Sequence, residues 1–333
     1  MIYLRFFIIV ALVAIAGGGF LVSESGYPQD RIQIRSQPVR YFEPEDTERS
    51  IFGSFKFRGG LELSSSDPRF GGISAIRIEP DGAHFLALSD RAYWIRGRIV
   101  YKGIRPSSVE DAEIAPVLDP DGSHAARWDT EAIARDGPVL YLGVEGLDRI
   151  PVYISDAGSF PVYRDAIPFP PGIQDLPVNQ GLEALEYIPD TGSANGILAA
   201  FSERGLDQDG NILAYLIQGT DRKTFAVRRS ADYDITDAVL LPDRDLLILE
   251  RKYDIVKGAA MRLRRISGDA VGPGSAVDGP VVLEAGMRQC IDNMEAVGAH
   301  RDATGEIVLT LLSDDNYSSG QRTLLLQFTM MDQ

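Results

Sequence analysis

Nine acidic residues recur at regular places along this 333-residue chain, and their spacing is the first sign of chemistry. Four follow one phrase, an acid before Ala and an aliphatic: Glu131, Glu183, Asp237 and Glu295. A fifth copy, Ser74-Ala75-Ile76, carries serine instead. The alanines of the five copies are 57, 52, 54 and 58 residues apart. A second phrase follows each first one, an apolar run that ends in an acid: FLALSD to Asp90, LYLGVE to Glu145, ILAAFSE to Glu203, LLILE to Glu250 and VLTLLSD to Asp314. Carboxylates gathered within a few ångströms cannot all ionise without a cation, arginine partners or raised pKa values.

Carboxylate and carbonyl oxygens are hard ligands, suited to Ca²⁺, with Mg²⁺ or another divalent cation as the alternative. The expected metal ligands are Asp90, Glu131, Asp237, Glu250, Asp292, Asp314 and Asp315. A cation would lower the pKa of bound water, with Glu183, Glu203 or Glu295 acting on its proton. Arg91, Arg204, Arg251 and Lys252 follow the second acids and could contact phosphate oxygens. The competing reading makes these arginines structural, bridging the acids of neighbouring repeats with no catalysis involved. Adjacent strand residues face opposite sides, so each would pair with another repeat's acid.

Other chemistries find little support. His84, His124 and His300 share no zinc-ligand spacing. No G-x-S-x-G elbow is present. Cys290, the single cysteine, cannot form an intrachain disulfide and reads as a small core residue. Asp207-Gln208-Asp209-Gly210-Asn211 starts like a calcium loop but lacks the Glu of position twelve, and reads as a turn.

The elements that must position these acids are strands. Pro80-Asp81-Gly82, Asp136-Gly137, Pro189 to Gly192 and Pro242-Asp243 separate the two phrases of their repeats, as tight turns would. Further strand signals follow, and four short strands in about 55 residues is the size of a propeller blade. The expected fold is all-β: a single β-propeller, six-bladed with seven blades as the alternative, closed by N- and C-terminal strands. The sixth blade would combine Ser54–Leu63 with Arg322–Phe328. No sustained 3.6-residue apolar period supports a helical solenoid.

Several of these phrases resemble a known family: FRGGLEL at 57–63, DPRFGGISAIRIEPDG at 67–82, LALSDR at 86–91, NQGLEAL at 179–185, ITDAVLLPD at 235–243, LILER at 247–251, DNMEAV at 292–297 and LLSDDN at 311–316. They are similar to the phytase-like, or "esterase-like activity of phytase", propeller domain of bacterial exported proteins. The resemblance implies a β-propeller over residues 31–333 and leans toward a hydrolase of phosphoesters or small esters. The second repeat departs from the pattern, with WDTEAI and GVEGL. The paired-Asp, Pro-Ala-Ile-Trp run of calcium-dependent propeller phytases is absent, so the resemblance does not carry phytase activity with it. The alternative is a non-catalytic propeller that binds a ligand or metal, or acts as a periplasmic scaffold.

Residues 1–25 hold one charge, Arg5, before an apolar run from Phe6 to Val22. Ala14-Ile15-Ala16 fits a signal-peptidase site, as does Ser23-Glu24-Ser25. The segment is expected to be a signal peptide, or a membrane anchor if it is not cleaved. The domain would then be periplasmic or secreted, or tethered to the inner membrane, with membrane contact only through that segment. A formal charge of −15 with no basic cluster argues against nucleic-acid binding. The expected partner is a small-molecule substrate, phosphorylated or not, and the protein is expected to be a monomer.

Overall fold

The computed structural model describes residues 29–156, 158–169, 181–189 and 196–331. The N-terminal segment, on which export or anchoring rests, lies outside them, as does Asn179 of the NQGLEAL phrase. Among the described residues no helix is long and apolar enough to cross a membrane.

Each repeat begins with a short strand of mostly buried residues: Ile73–Ile78, Asp129–Asp136, Leu182–Ile188, Asp234–Leu240 and Asn293–Arg301. Each pairs antiparallel with the strand holding the second phrase: His84–Ser89, Val139–Glu145, Ile197–Leu206, Leu246–Asp254 and Ile307–Asp314. Third and fourth strands complete each sheet on its outer side. These five first strands are the inner strands of five blades. Each lies against the next, and the fifth lies against the first, so they form a ring about one axis.

The described residues form five blades, not the expected six. The termini add no separate blade because the fifth repeat lacks its own outer half. Its third strand is Thr323–Met330, at the end of the chain, and Phe55–Ser65 pairs with that strand as the fourth. Ile34–Val39 lies outside it. Buried apolar residues fall into five clusters, one for each blade-to-blade interface. Between the fourth and fifth blades, for example, Leu247, Leu249 and Leu263 meet Leu309, Leu311 and Phe328. Each such side chain contributes roughly 1.5–3 kcal/mol when fully buried.

Every inner strand is bulged near its start. The register jumps past one residue in each: Ser74, Glu131, Glu183, Thr236 and Glu295. A bulge leaves its extra residue out of the ladder and re-aims its side chain. In four blades out of five, that residue is the one found at the axial cavity described below.

Candidate functional site

At the end of the ring where the inner strands begin, a cavity of about 570 Å³ opens around the axis. Asp90, Asp129, Glu131, Glu145, Glu183, Glu203, Glu295 and Asp314 line it, so four blades contribute eight carboxyl groups. Among the described residues Arg204 and Arg251 are its cations, and Ser74, Asn293, Asn316, Gln321 and Tyr253 also line it.

The bulges deliver Ser74, Glu131, Glu183 and Glu295 to the cavity. A second set comes from the ends of the adjacent strands. Asp129 pairs with Glu145, Asn293 with Asp314 and Asp234 with Arg251. Backbone hydrogen bonds place Asp90 opposite Gly72 (2.8 Å) and Glu203 opposite Gly181 (2.9 Å). Gly72 has φ +59°, and a Cβ built there would stand 2.3 Å from Asp90 Oδ1, so only glycine leaves that carboxylate in place.

Burial is the leading influence on these acids. It pushes Asp314 up to about 8, with Glu295 and Asp90 adding repulsion against the Asn316 amide that donates to it. Glu295 is pushed up to about 7 by burial, which Arg251 and Asn293 oppose. Asp90 rises to about 6 through burial and the Asp129 charge. Burial, together with Glu183, holds Glu131 well above its ordinary range. Burial raises Glu183 likewise, with repulsion from Glu203 and Glu295. Glu203 is raised by burial against the pull of Arg204 and Arg251. For Arg251, burial disfavours the charge, but Glu295, Glu203, Glu183 and Glu131 outweigh it and hold the guanidinium above its usual range.

Arg251 links three blades. Its Nε lies 3.1 Å from Glu295 Oε1, its Nη1 donates to Asn293 Oδ1 at 3.0 Å, and its Nη2 lies 3.7 Å from Glu203 Oε1. Asn293 Nδ2 donates in turn to Glu295 Oε1 at 2.8 Å. Arg204 pairs with Glu203 at 3.3 Å and, across the blade boundary, with Asp234 at 2.7 Å. These bridges match the structural role considered for the arginines, and they also place two cations beside the acids.

The structure brings Asp90, Glu131, Glu183, Glu203, Arg204, Arg251, Glu295 and Asp314 to one cavity. It leaves the other expected site residues elsewhere. Glu250 pairs with Ile235, one step before Arg251, so alternation turns it to the opposite face. There it is fully buried between Arg262 (2.6 Å) and Arg264 (2.6 Å). Asp237 is displaced for a related reason. The fourth bulge falls on Thr236, so Asp237 occupies the slot that alanine holds in the other blades. It accepts a hydrogen bond from the Val297 amide at 2.8 Å and lies 3.5 Å from Arg77.

Arg77 also reaches Glu186 and the Leu185 carbonyl, forming a buried polar knot that joins the first blade to the third and fourth. Asp292 is engaged by Arg322, at 3.4 Å, and by the Asn293 amide. Asp315 accepts from the Gly72 and Tyr317 amides and from Thr323 Oγ1, which makes it a loop brace. Arg91 lies 3.5 Å over the Tyr317 ring, and Lys252 lies 4.2 Å over Tyr233, both away from the cavity lining. The Asp207 loop is the expected turn: Asp207 Oδ1 accepts the Asp209 and Asn211 amides.

Asp129 and Tyr253 were not singled out by the sequence. Asp129 carries a readable signal, standing two residues before Glu131 on the same strand face. Tyr253 stands two residues after Arg251 and shares its side of the strand, which matters only once Arg251 is known to line the cavity.

The donor set is chemically suited to a hard cation, since all its candidate ligands are oxygens. Asp90 Oδ1 is buried without a hydrogen-bond partner, as an acceptor awaiting a ligand or proton would be. Among the described residues, however, no three acidic, histidine or cysteine side chains already stand as a metal cage.

The sequence matches the phytase-like family described as "Esterase-like activity of phytase" over residues 68–317. The chain belongs to that family. No curated protein matches it. Among solved structures it is similar to the glutaminyl cyclase of Myxococcus xanthus, at 9% identity and a TM-score of 0.39, covering 79% of this chain and 92% of the cyclase. The RRP9 WD40 repeats match at 10% identity and a TM-score of 0.37, covering 79% of this chain and 96% of theirs. U3-55K matches with the same values. At such scores these likenesses bear on no residue of the cavity.

Proposed function

We propose that this phytase-like propeller is a divalent-cation-dependent hydrolase of small esters or phosphoesters, and that the axial cavity is its active site. One observation carries the reading: among the described residues, eight carboxyl groups from four blades converge on an open cavity with two arginines. Burying that many like charges is costly unless the cavity is built to take up positive charge.

Asp90, Glu131 and Asp314 are the residues that would hold the cation, Ca²⁺ or Mg²⁺, by drawing their side chains together. When bound, it would polarise the scissile group and acidify a bound water. Glu183, raised by burial, takes the proton of the attacking water as general base. Glu295, pushed up to about 7, can return a proton to the leaving oxygen. Arg204 and Arg251 face the anionic group of the substrate. The apolar run from Phe6 to Val22 supports the companion reading that the domain works outside the cytoplasm, released or tethered.

The test is hydrolysis of an ester and phosphoester panel by chelated protein resupplied with Ca²⁺, Mg²⁺ or Mn²⁺ in turn. Turnover restored by one cation supports the reading, and no turnover with any of them ends it. A second reading, a non-catalytic cation- or ligand-binding propeller, is favoured by the ion pairs that already occupy both arginines. Thermal stabilisation by the cation without turnover would select it.

A further inference from the structure

The strands Leu246–Asp254 and Gly258–Ile266 form a hairpin that rises from the rim of the cavity. Arg251 and Tyr253 lie on one side of its first strand, and both line the cavity. Beyond them the tip holds Ile255 and Val256 open to solvent, between Asp254 and Lys257. Tyr253 is 75% exposed, Ile255 91% and Val256 88%. Met287, itself 63% exposed, packs against Gly258 at the base of the turn. The tip is a built turn: Asp254 Oδ1 accepts the amides of Val256 (2.8 Å) and Lys257 (2.9 Å). The chain therefore holds these aliphatic side chains in water next to a charged cavity, where burying them would be favourable.

We infer that the substrate is amphiphilic, with one ester or phosphate group in the cavity and an alkyl, acyl or aryl arm lying along Tyr253, Ile255 and Val256. This rests on the hydrolase reading of the cavity and names its substrate class. Two features support that occupant. Tyr253 belongs to the cavity lining, and Ile255 and Val256 follow it at the tip of the same hairpin. The surplus of carboxyl groups over Arg204 and Arg251 repels a polyanion, and with the cation of the proposed function in place the cavity matches at most one anionic group. A polyphosphorylated polyol is therefore a poor substrate for this chain, whatever the family's name suggests.

The experiment compares p-nitrophenyl acetate, butyrate and octanoate with the protein and with the Ile255→Ser/Val256→Ser variant. Ile104→Ser, at another exposed aliphatic (52%) on the first blade, serves as the control. A fully buried CH₂ is worth about fourfold in affinity, and roughly twofold on an open wall such as this. The octanoate-to-acetate ratio of kcat/KM should therefore be well above one in the native protein. It should fall about tenfold or more in the hairpin variant and hold in the control.

Binding of n-octylphosphonate and of inositol hexasulfate, measured by calorimetry, separates this inference from the hydrolase reading. Octylphosphonate binding that is lost in the hairpin variant supports the apolar arm even if no ester turns over. Ester turnover with an unchanged ratio in the variant overturns the arm while leaving the hydrolase intact. Tighter binding of the hexasulfate than of octylphosphonate overturns it as well. So does hairpin-dependent binding to neutral phosphatidylcholine vesicles with the ester ratio unchanged, which would assign the tip to a bilayer.

Discussion

The Arg251 guanidinium lies 3.1 Å from Glu295 Oε1 and joins the fourth blade to the fifth at the wall of the cavity. It stands where the third blade has Glu203, so one cation replaces an acid in an otherwise acidic set. Arg251 Nη1 also donates to Asn293 Oδ1 at 3.0 Å, and hydrogen bonds involving a charged group are worth about 1.5–3 kcal/mol. Arg251→Met should therefore lower stability by roughly that amount at pH 8, and by less at pH 5, where protonated acids need the cation less. Urea unfolding at the two pH values measures the difference. Equal losses at both would show that Arg251 acts through packing alone.

The stability of the cation-free protein should fall as pH rises from about 4 to about 8, the reverse of the usual acid-side behaviour. Asp314, Glu295 and Asp90 have folded pKa values of about 8, about 7 and about 6, all above their unfolded values. The folded state thus binds more protons than the unfolded state across that window, and its advantage, complete below about pH 4, is lost as each folded pKa is passed. Acids with lowered values, such as Asp81 at about 2, act mainly below the window, and His300, lowered by burial, opposes the trend within it as a single group against three. A cation that replaces those protons should raise the melting temperature more at pH 8 than at pH 5, by the equivalent of about 2.7 kcal/mol at one hundred times its Kd. Melting curves with and without Ca²⁺ report both effects.

Glu183→Gln replaces a buried carboxyl group flanked by Glu203 and Glu295 while keeping the shape of the side chain. The cation-free variant should melt at or above the native temperature at pH 8. Its hydrolysis should fall by about 10²–10⁴, the usual contribution of a general base. A variant that keeps its full rate would remove Glu183 from the chemistry.

Glu250→Ala should have the opposite profile. It leaves Arg262 and Arg264 buried without their shared partner, at a cost of about 3–5 kcal/mol in stability. Cation affinity of the folded fraction should stay at the native value, because Glu250 is outside the cavity. Calorimetric titration below the melting transition checks this, and a weakened affinity would return Glu250 to the site.

The repeated phrases by themselves determined the blade unit, the all-β class and most of the acids at the cavity. Glu131, Glu183 and Glu295 were legible because each precedes an alanine that must be small and buried, and Glu203 and Asp314 because each ends an apolar strand. Only the tertiary structure decided the blade number, since the sequence does not say which sheet a terminal strand pair joins. The pairing of Phe55–Ser65 with Thr323–Met330 was legible, but the pair reads as a sixth blade until Thr323–Met330 is seen hydrogen-bonded to Ile307–Asp314 of the fifth. It also decided the fourth blade, where the Asp-Ala-Val phrase and the acid of LLILE each sit one residue away from the pattern. A strand turns over every residue, so a slip of one moves Asp237 and Glu250 out of the cavity and brings Thr236 to the bulge and Arg251 to the wall.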